Sequence, residues 1–154
     1  MQTFSTINSL SLRLIGGSED TAPRSELLSD GAPTALTLDG AVLEAALRWH
    51  DCYVLFLTDD IPFEDSLHIH LLDTDFRLLD TASLASMYAT GSFAALQLMP
   101  PDRLSFRFFG DTIWEVELLI EPQARLPFLS DPRGVTRPFG FSRRLIIRGA
   151  PKPG

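Results

Sequence analysis

Residues able to bind a metal ion concentrate in the stretch 66–75, which reads Ser-Leu-His-Ile-His-Leu-Leu-Asp-Thr-Asp. His68 and His70 stand two positions apart, and in a β-strand this spacing places both imidazoles on one face. Two imidazoles on one face can converge on a single metal ion. The same spacing also suits a strand whose outward face merely carries polar side chains, and we favour that interpretation of the histidine pair.

A wider metal-site hypothesis includes the third histidine and the carboxylates that follow the pair. If the segment 52–57 pairs antiparallel with the segment 67–73, the turn before the first strand comes close to the end of the second. The metal ligands would then be His50, His70, Asp73 and Asp75. Such a mixture of nitrogen and oxygen ligands suits zinc, iron or manganese.

The His-x-His pair followed by a carboxylate resembles the metal motif of cupins. In that jelly-roll family, His-x-His is followed by a glutamate and by a third histidine on a later strand. Asp75 stands near the position of the glutamate, but no histidine follows His70 and the glycine expected downstream is missing. The resemblance implies a cupin-like metal-dependent enzyme, which is the alternative function.

Two loops carry further groups that could bind a ligand. The loop 58–66 holds four carboxylates, which could bind calcium or form a glycosidase-like acid–base pair, although a single acidic loop is usually only solvated. In the loop 133–141, guanidinium groups beside aromatic rings could hold a carboxylate or a phosphate. The candidate ligand-binding residues there are Arg133, Arg137, Phe139 and Phe141. The alternative is a proline-rich connector whose phenylalanines cap the core.

The composition is that of a soluble globular protein, and the charge excludes one class of function. The chain of 154 residues is 45% hydrophobic and 21% charged, which suits a single domain over 1–154. The net charge is −7, and residues 1–120 carry −12 because residues 121–154 hold seven basic groups against two acidic ones. A strongly acidic body argues against nucleic-acid binding, which needs a broad basic surface.

Signals for a membrane, for secretion and for disulfides are missing from the sequence. The longest strictly apolar run covers residues 52–57, far short of the roughly 20 residues that a membrane helix needs. No secretory signal begins the chain, and the single cysteine, Cys52, reads as a small buried hydrophobe. We therefore expect a cytoplasmic protein with no cofactor and no membrane partner, either a monomer or a symmetric homodimer.

Hydrophobic residues alternate with a period of two, which predicts an all-β fold. The segments 43–49 and 52–57 flank His50-Asp51, and a two-residue turn there would pair Leu47 with Val54. The first segment could instead be a helix, since its alanine, leucine, glutamate and arginine residues favour one, but the turn signals on both sides of it favour the hairpin. The second segment is apolar on both faces. It should therefore be a central strand in a sheet that is covered on both sides.

A second hairpin is predicted from the segments 104–109 and 113–118. A three-residue loop between them would pair Phe106 with Val116 and place Arg107 opposite Glu115 on the other face. Because a slip of one residue turns every side chain to the opposite face, a two-residue loop does not fit this pattern.

The remaining elements complete the predicted fold. Further strands are predicted at 9–15, 34–38, 67–73, 76–80, 92–99 and 141–148, and the apolar end of the last one should add to a sheet. One or two short helices are predicted, at 81–89 and at 24–28. The latter lies within an irregular polar segment at 16–33, and a long connector covers 122–140. The predicted fold is a single-domain antiparallel β-sandwich, or a barrel-like sandwich.

No catalytic constellation emerges from these patterns. The sequence lacks the hydrolase elbow and the glycine motifs of dinucleotide-binding and P-loop proteins. We therefore expect a non-enzymatic interaction module or small-ligand-binding module, whose partner is an unidentified protein or small molecule.

Overall fold

A computed structural model describes residues 4–18, 21–61, 65–85, 92–109, 112–124, 131–132, 134–138, 140 and 142–149. Strands are the only regular secondary structure in these ranges. They are β1 (Phe4–Thr6), β2 (Leu10–Ser18), β3 (Thr21–Ser29), β4 (Ala32–Asp39), β5 (Val42–Trp49), β6 (Cys52–Thr58), β7 (Leu67–Asp73), β8 (Leu78–Leu84), β9 (Ala94–Met99), β10 (Arg103–Arg107), β11 (Ile113–Ala124), β12 (Val135–Thr136) and β13 (Ser142–Arg148). A helix long and apolar enough to cross a membrane is absent from the same ranges.

The strands form three antiparallel sheets. A six-stranded sheet has the order β1-β5-β6-β7-β8-β12, a four-stranded sheet the order β13-β11-β10-β9, and a three-stranded sheet the order β2-β3-β4. One face of the six-stranded sheet shares the larger apolar core with the four-stranded sheet. Its other face shares a smaller core with the three-stranded sheet. The predicted antiparallel all-β class is therefore confirmed.

Strand β6 is apolar on both faces because it lies between the two cores. Val54 and Phe56 are fully buried in the larger core, whereas Leu55 and Leu57 are fully buried in the smaller one. The strand pairs with β5 on one side and with β7 on the other. The prediction of a central strand covered on both faces is confirmed. Each such side chain contributes about 1.5–3 kcal/mol on burial, so β6 holds both outer sheets to the middle one.

The predicted two-residue turn between β5 and β6 is also confirmed. Leu47 pairs with Val54, and the pairing continues up to the residues that flank His50 and Asp51. His50 has a φ of 52°, a left-handed backbone conformation that tight hairpin turns require.

The predicted register of β10 and β11 is wrong by two residues. Phe106 pairs with Trp114 rather than with Val116, so Glu115 does not lie opposite Arg107. The loop is longer than predicted because the pairing already ends at Arg107. The shift is an even number of residues, so the same side chains still face the core, and the aromatic residues of this pair are fully buried.

Neither predicted helix occurs in the described residues. Residues 81–84 belong to β8, whose alternate side chains Ala82 and Leu84 are fully buried in the larger core. Residues 24–28 belong to β3, and the described residues of the segment 16–33 are not irregular, since β3 pairs with β2 and with β4. Tertiary pairing thus overrides the local helix signals. Residues 86–89 lie outside the described ranges.

Two strands replace parts of the predicted connector at 122–140. Strand β11 continues to Ala124, and β12 pairs with β8. Residues 125–130, 133 and 139 of this segment lie outside the described ranges. The C-terminal strand β13 pairs with β11, which confirms that the apolar end of the chain adds to a sheet.

A buried charged contact joins the edge strand β13 to β8 of the six-stranded sheet. Asp80 Oδ2 accepts hydrogen bonds from the backbone N–H groups of Arg144 (2.7 Å) and Leu145 (2.9 Å) and from the Arg137 guanidinium (2.6 Å). Arg137 also donates to the carbonyl oxygens of Leu145 (3.1 Å) and Thr81 (2.8 Å). We call this contact the Asp80–Arg137 junction. It satisfies backbone groups of β13 that no further strand pairs with in the described sheet.

The junction is closed to solvent. The side chains of Arg137 and Asp80 are 4% and 5% exposed, and Asp131 adds a second carboxylate 3.1 Å from the same guanidinium. In such a site the loss of one partner leaves the other charge buried without compensation, which is more costly than the loss of an exposed ion pair.

We expect Arg137→Met to lower the free energy of unfolding by about 3–5 kcal/mol, because Asp80 then stays buried without its cation. The matched control is Arg107→Met at an exposed position of β10, which should change stability by less than about 0.5 kcal/mol. Urea unfolding of both variants measures the difference. Equal losses from the two substitutions would contradict a structural role for the junction.

Candidate functional site

A groove opens beside the β5–β6 turn, where the six-stranded and four-stranded sheets meet. Its volume is about 490 Å³, within the range of about 300–1,000 Å³ typical of small-molecule sites. Its lining combines the apolar residues Trp49, Leu79 and Ile120 with the polar residues His50, Asp51, Cys52, Asp73 and Arg144. We call it the turn groove.

Arg144 is the cation of the turn groove, and three contacts fix its position. Its backbone N–H donates to Asp80, and its Nε donates to the Leu119 carbonyl over 2.9 Å. Its Nη2 lies 3.8 Å from the sulfur of Cys52. Because both the backbone and the stem of the side chain are held, the guanidinium lines the groove in a defined orientation.

The Cys52 thiol beside Arg144 is not activated. Burial raises its pKa above the ordinary value of 9.0, and this effect outweighs the opposing Arg144 charge. The carboxylates of Asp51 and Asp73 act in the same direction as burial. The thiol therefore stays protonated near neutral pH, and a protonated thiol is a poor nucleophile.

Carboxylates stand at the rim of the groove. The Asp51 side chain is 99% exposed, and the Asp73 side chain is 29% exposed. Asp73 Oδ1 also accepts the backbone N–H groups of Asp75 and Arg77, each over 2.9 Å, which closes the turn between β7 and β8. A ligand in the groove would meet one cation and two anions.

The structure brings together two of the four predicted metal ligands. His50 and Asp73 line the turn groove. His70 is directed to the opposite face of β7, where its Nε2 lies 3.1 Å from the Asp39 carbonyl oxygen, and the exposed Asp75 side chain lies outside the groove. Within the described residues no three His, Cys, Asp or Glu side chains form a metal-binding group.

Only one residue of the predicted arginine–phenylalanine site, Arg137, lies in the described part of the chain. The Arg137 guanidinium is buried in the junction and makes hydrogen bonds to Asp80, Thr81, Asp131 and Leu145. In this position it is not presented to a ligand. Arg133, Phe139 and Phe141 lie outside the described residues.

A second polar cluster lies on the other face of the six-stranded sheet. His68 Nδ1 is 2.6 Å from the Ser83 hydroxyl, and His68 Nε2 is 2.8 Å from a carboxylate oxygen of Asp59. Beside it, His70 Nδ1 accepts the hydroxyl of Thr81 over 2.8 Å. The two imidazole rings are nearly parallel, with centroids 6.2 Å apart. We call these five residues the histidine row.

The histidine row was not predicted as a unit. The two histidines face away from the larger core, as predicted, but the face is not open to solvent. His68 is 9% exposed and His70 is 2% exposed. The sequence signal that could have revealed the row is the alternation of Thr81 and Ser83 on β8, the strand that pairs with the two histidines.

The acidic loop 58–66 supplies the carboxylate of this row. Asp65 Oδ1 accepts the backbone N–H groups of Asp59, Asp60 and Ser66 over 2.9–3.1 Å. This capping shapes the loop and directs the Asp59 side chain to His68. Asp65 therefore holds the backbone of the loop, whereas Asp59 contacts His68.

No protein-family model matches this chain, and no curated protein or solved structure is significantly similar to it. The turn groove and the histidine row are therefore the two features from which a function can be inferred.

His70 should make the protein less stable as the pH falls below about 6.5. Burial lowers the pKa of His70 from 6.5 to about 4, so the folded state keeps the imidazole neutral in the range where the unfolded state takes up a proton. Proton uptake by the unfolded state favours unfolding as the pH falls. A shift of this size corresponds to about 3 kcal/mol at most.

The variant His70→Gln keeps an acceptor for Thr81 and a donor for Asp39, and it should flatten this pH dependence. Unfolding free energies at about pH 7, 6 and 5 would measure the slope above the range in which most carboxylates titrate. A slope that is the same in the variant and in the wild type would show that His70 is not its source.

Proposed function

We propose that this protein is a small-ligand-binding β module that binds a small amphipathic monocarboxylate in the turn groove. The observation that carries the proposal is the Arg144 guanidinium, which is held by the Leu119 carbonyl group and lines a groove of about 490 Å³ together with apolar residues. Small-molecule sites combine apolar walls with a few placed polar groups, and the turn groove contains both.

Arg144 has a donor group available for a ligand. Its Nε and Nη2 contact Leu119 and Cys52, whereas its Nη1 has no hydrogen-bond partner in the described part of the chain. Guanidinium N–H groups bind carboxylates through charge-assisted hydrogen bonds, which are stronger than neutral ones. Partial burial also reduces the screening of this charge by solvent.

The side chain of Ile120 is the reason to expect a ligand with an apolar part. It is 65% exposed on β11, and it lines the groove together with Leu79 and Trp49. A ligand that covers the Ile120 side chain removes apolar surface from water, which contributes roughly 25 cal/mol for each Å² buried.

The carboxylates at the rim of the groove are the reason to expect a ligand with only one negative charge. Asp51 and Asp73 also line the groove, so a second anionic group on the ligand would meet carboxylates of like charge, which repel it. An amino group on the ligand would be tolerated at the same place. The groove therefore favours monocarboxylates over dicarboxylates.

The alternative function is a cupin-like metal-dependent enzyme, and its support is limited to His50 and Asp73, which share the groove. We also propose that the three sheets form a layered sandwich. The protein would act in the cytoplasm as a monomer or a symmetric homodimer, without nucleic acid as a partner.

Phenylacetate should bind saturably and shift the NMR signal of the Trp49 indole N–H. Arg144→Gln should weaken this binding by about tenfold or more, because a hydrogen bond to a charged group contributes about 1.5–3 kcal/mol and about 1.4 kcal/mol is a factor of ten. The neutral analogue phenylacetamide should bind the wild type as weakly as phenylacetate binds the variant. Phenylmalonate, with its second carboxylate, should bind less tightly than phenylacetate.

Arg148→Gln is the matched control, since Arg148 lies on the same strand but pairs with Glu117 over 2.7 Å. This substitution should leave the affinity for phenylacetate unchanged. If phenylacetate and phenylacetamide bind equally well, or if both arginine variants weaken binding to the same extent, Arg144 is not an anion site.

A further inference from the structure

The residues Asp59, His68 and Ser83 have the connectivity of an orienting carboxylate, a base and a nucleophile. An ionised Asp59 can only accept hydrogen bonds, so His68 donates to it from Nε2 over 2.8 Å. In the neutral imidazole the other nitrogen then carries the lone pair, and Nδ1 accepts the Ser83 hydroxyl over 2.6 Å. A serine bonded to a base that a carboxylate orients is the arrangement that activates a hydroxyl for attack.

We infer that Ser83 is an activated nucleophile for acyl transfer, with His68 as its general base and Asp59 as a positioning residue. This site lies on the opposite face of the six-stranded sheet from the turn groove. The inference thus goes beyond the proposed binding function and does not depend on it.

The surroundings of Asp59 are poorly explained by stability alone. Its side chain is 8% exposed, and its carboxylate accepts a single hydrogen bond, from His68, within the described ranges. Asp80, by contrast, meets a guanidinium and three backbone N–H groups. A buried carboxylate with so few partners lowers stability, and residues kept at such a cost are typical of functional sites.

The adjacent pair of Thr81 and His70 is a natural comparison because it lacks the carboxylate. His70 Nε2 meets the neutral carbonyl group of Asp39, and the Thr81 hydroxyl also contacts the carbonyl oxygen of Ile69. Burial lowers the pKa of His70 to about 4, which makes it a weak base. Of the two hydroxyl groups, only that of Ser83 is bonded to an imidazole that a carboxylate orients.

Access limits the acyl donor to small molecules. Ser83 is half-buried, and the His68 side chain is 11% exposed. A bulky acyl chain could not place its carbonyl carbon beside the hydroxyl. The substrate class is therefore a short, unbranched ester with a good leaving group.

The reaction takes place in two balanced steps. The Ser83 oxygen forms a bond to the ester carbonyl carbon while its proton passes to His68 Nδ1, and the ester C–O bond breaks as His68 returns this proton to the departing alcohol. Water then attacks the acyl group on Ser83, giving one proton to His68. The acid is released, and the same proton restores the Ser83 hydroxyl.

A small alkyl fluorophosphonate, with peptide mass spectrometry as the readout, tests the inference on the whole chain. In wild-type protein Ser83 should be labelled at least a hundredfold faster than the exposed Ser9, since an oriented general base typically contributes about 10²–10⁴-fold. This ratio is measured within one sample and needs no variant. Labelling of Ser83 no faster than that of Ser9 would overturn the inference.

Substitutions of His68 and Thr81 test whether each residue contributes to the labelling of Ser83. His68→Gln should slow the labelling of Ser83 by about a hundredfold, whereas Thr81→Val should leave it within about twofold of the wild type if His70 takes no part. Melting curves identify any variant that fails to fold. Full labelling in a folded His68→Gln protein would overturn the role of the base.

Asp59→Asn and Asp59→Glu together test the positioning residue. The asparagine amide can donate to Nε2 of His68, which would leave the ring proton on Nδ1 and remove the acceptor for the Ser83 hydroxyl, so labelling of Ser83 should fall by about a hundredfold. Asp59→Glu keeps a carboxylate acceptor and should restore most of the labelling. Labelling at the wild-type rate in a folded Asp59→Asn protein would remove Asp59 from the site.

Discussion

The carboxylate of Asp80 is the buried charge that fixes the edge strand of the four-stranded sheet against the six-stranded sheet. An edge strand presents unpaired backbone groups, which are costly when buried and prone to aggregation when exposed. In β13 these groups are met by Asp80 and Arg137 instead of by another strand. The two side chains are in turn charge-matched and closed to solvent. The sheets are therefore joined by a satisfied charged contact in addition to the apolar core.

The register of strand β8 at Asp80 also determines the positions of residues in both candidate sites. Asp80 and Ala82 are buried on the side of the four-stranded sheet, whereas Thr81 and Ser83 meet the histidines on the other side. A slip of one residue would exchange these two sets. The register that places Asp80 at the junction therefore also aligns Ser83 with the base, and through β13 it positions the cation of the turn groove.

The parts of the fold that follow from alternation and short turns could be predicted from the sequence. The central position of β6 follows from its apolar character on both faces, and the β5–β6 register follows from a turn of only two residues. Alternation cannot detect a shift of two residues, so the register of β10 and β11 was wrong although their buried faces were right. The polar composition of the segment 16–33 predicts an irregular segment, because the strands of an outer sheet with one solvent-facing side contain few apolar residues.

The sites could be predicted less well because they depend on pairs that are distant in the sequence. Arg137 lies 57 positions from Asp80, and no local pattern links an arginine in a proline-rich segment to one carboxylate among many. The spacing of His68 and His70 predicts that they share one face, but their hydrogen-bond partners, the loop carboxylate and the hydroxyl groups of β8, lie on other elements. The spacing of residues in the sequence identifies side chains that are capable of chemistry, whereas the pairing of strands in the folded protein determines which partners these side chains contact.

Hydrogen exchange at the backbone amides of Arg144 and Leu145 tests the central role of Asp80 most directly. Both amides lie on an edge strand, yet in wild-type protein they should be as well protected as the amide of Val116 in the middle of the same sheet. In Asp80→Asn they should exchange at least tenfold faster relative to Val116, because the charged acceptor is gone. Rapid exchange of these two amides in the wild type, or unchanged relative protection in the variant, would contradict the dependence of the sheets on this carboxylate.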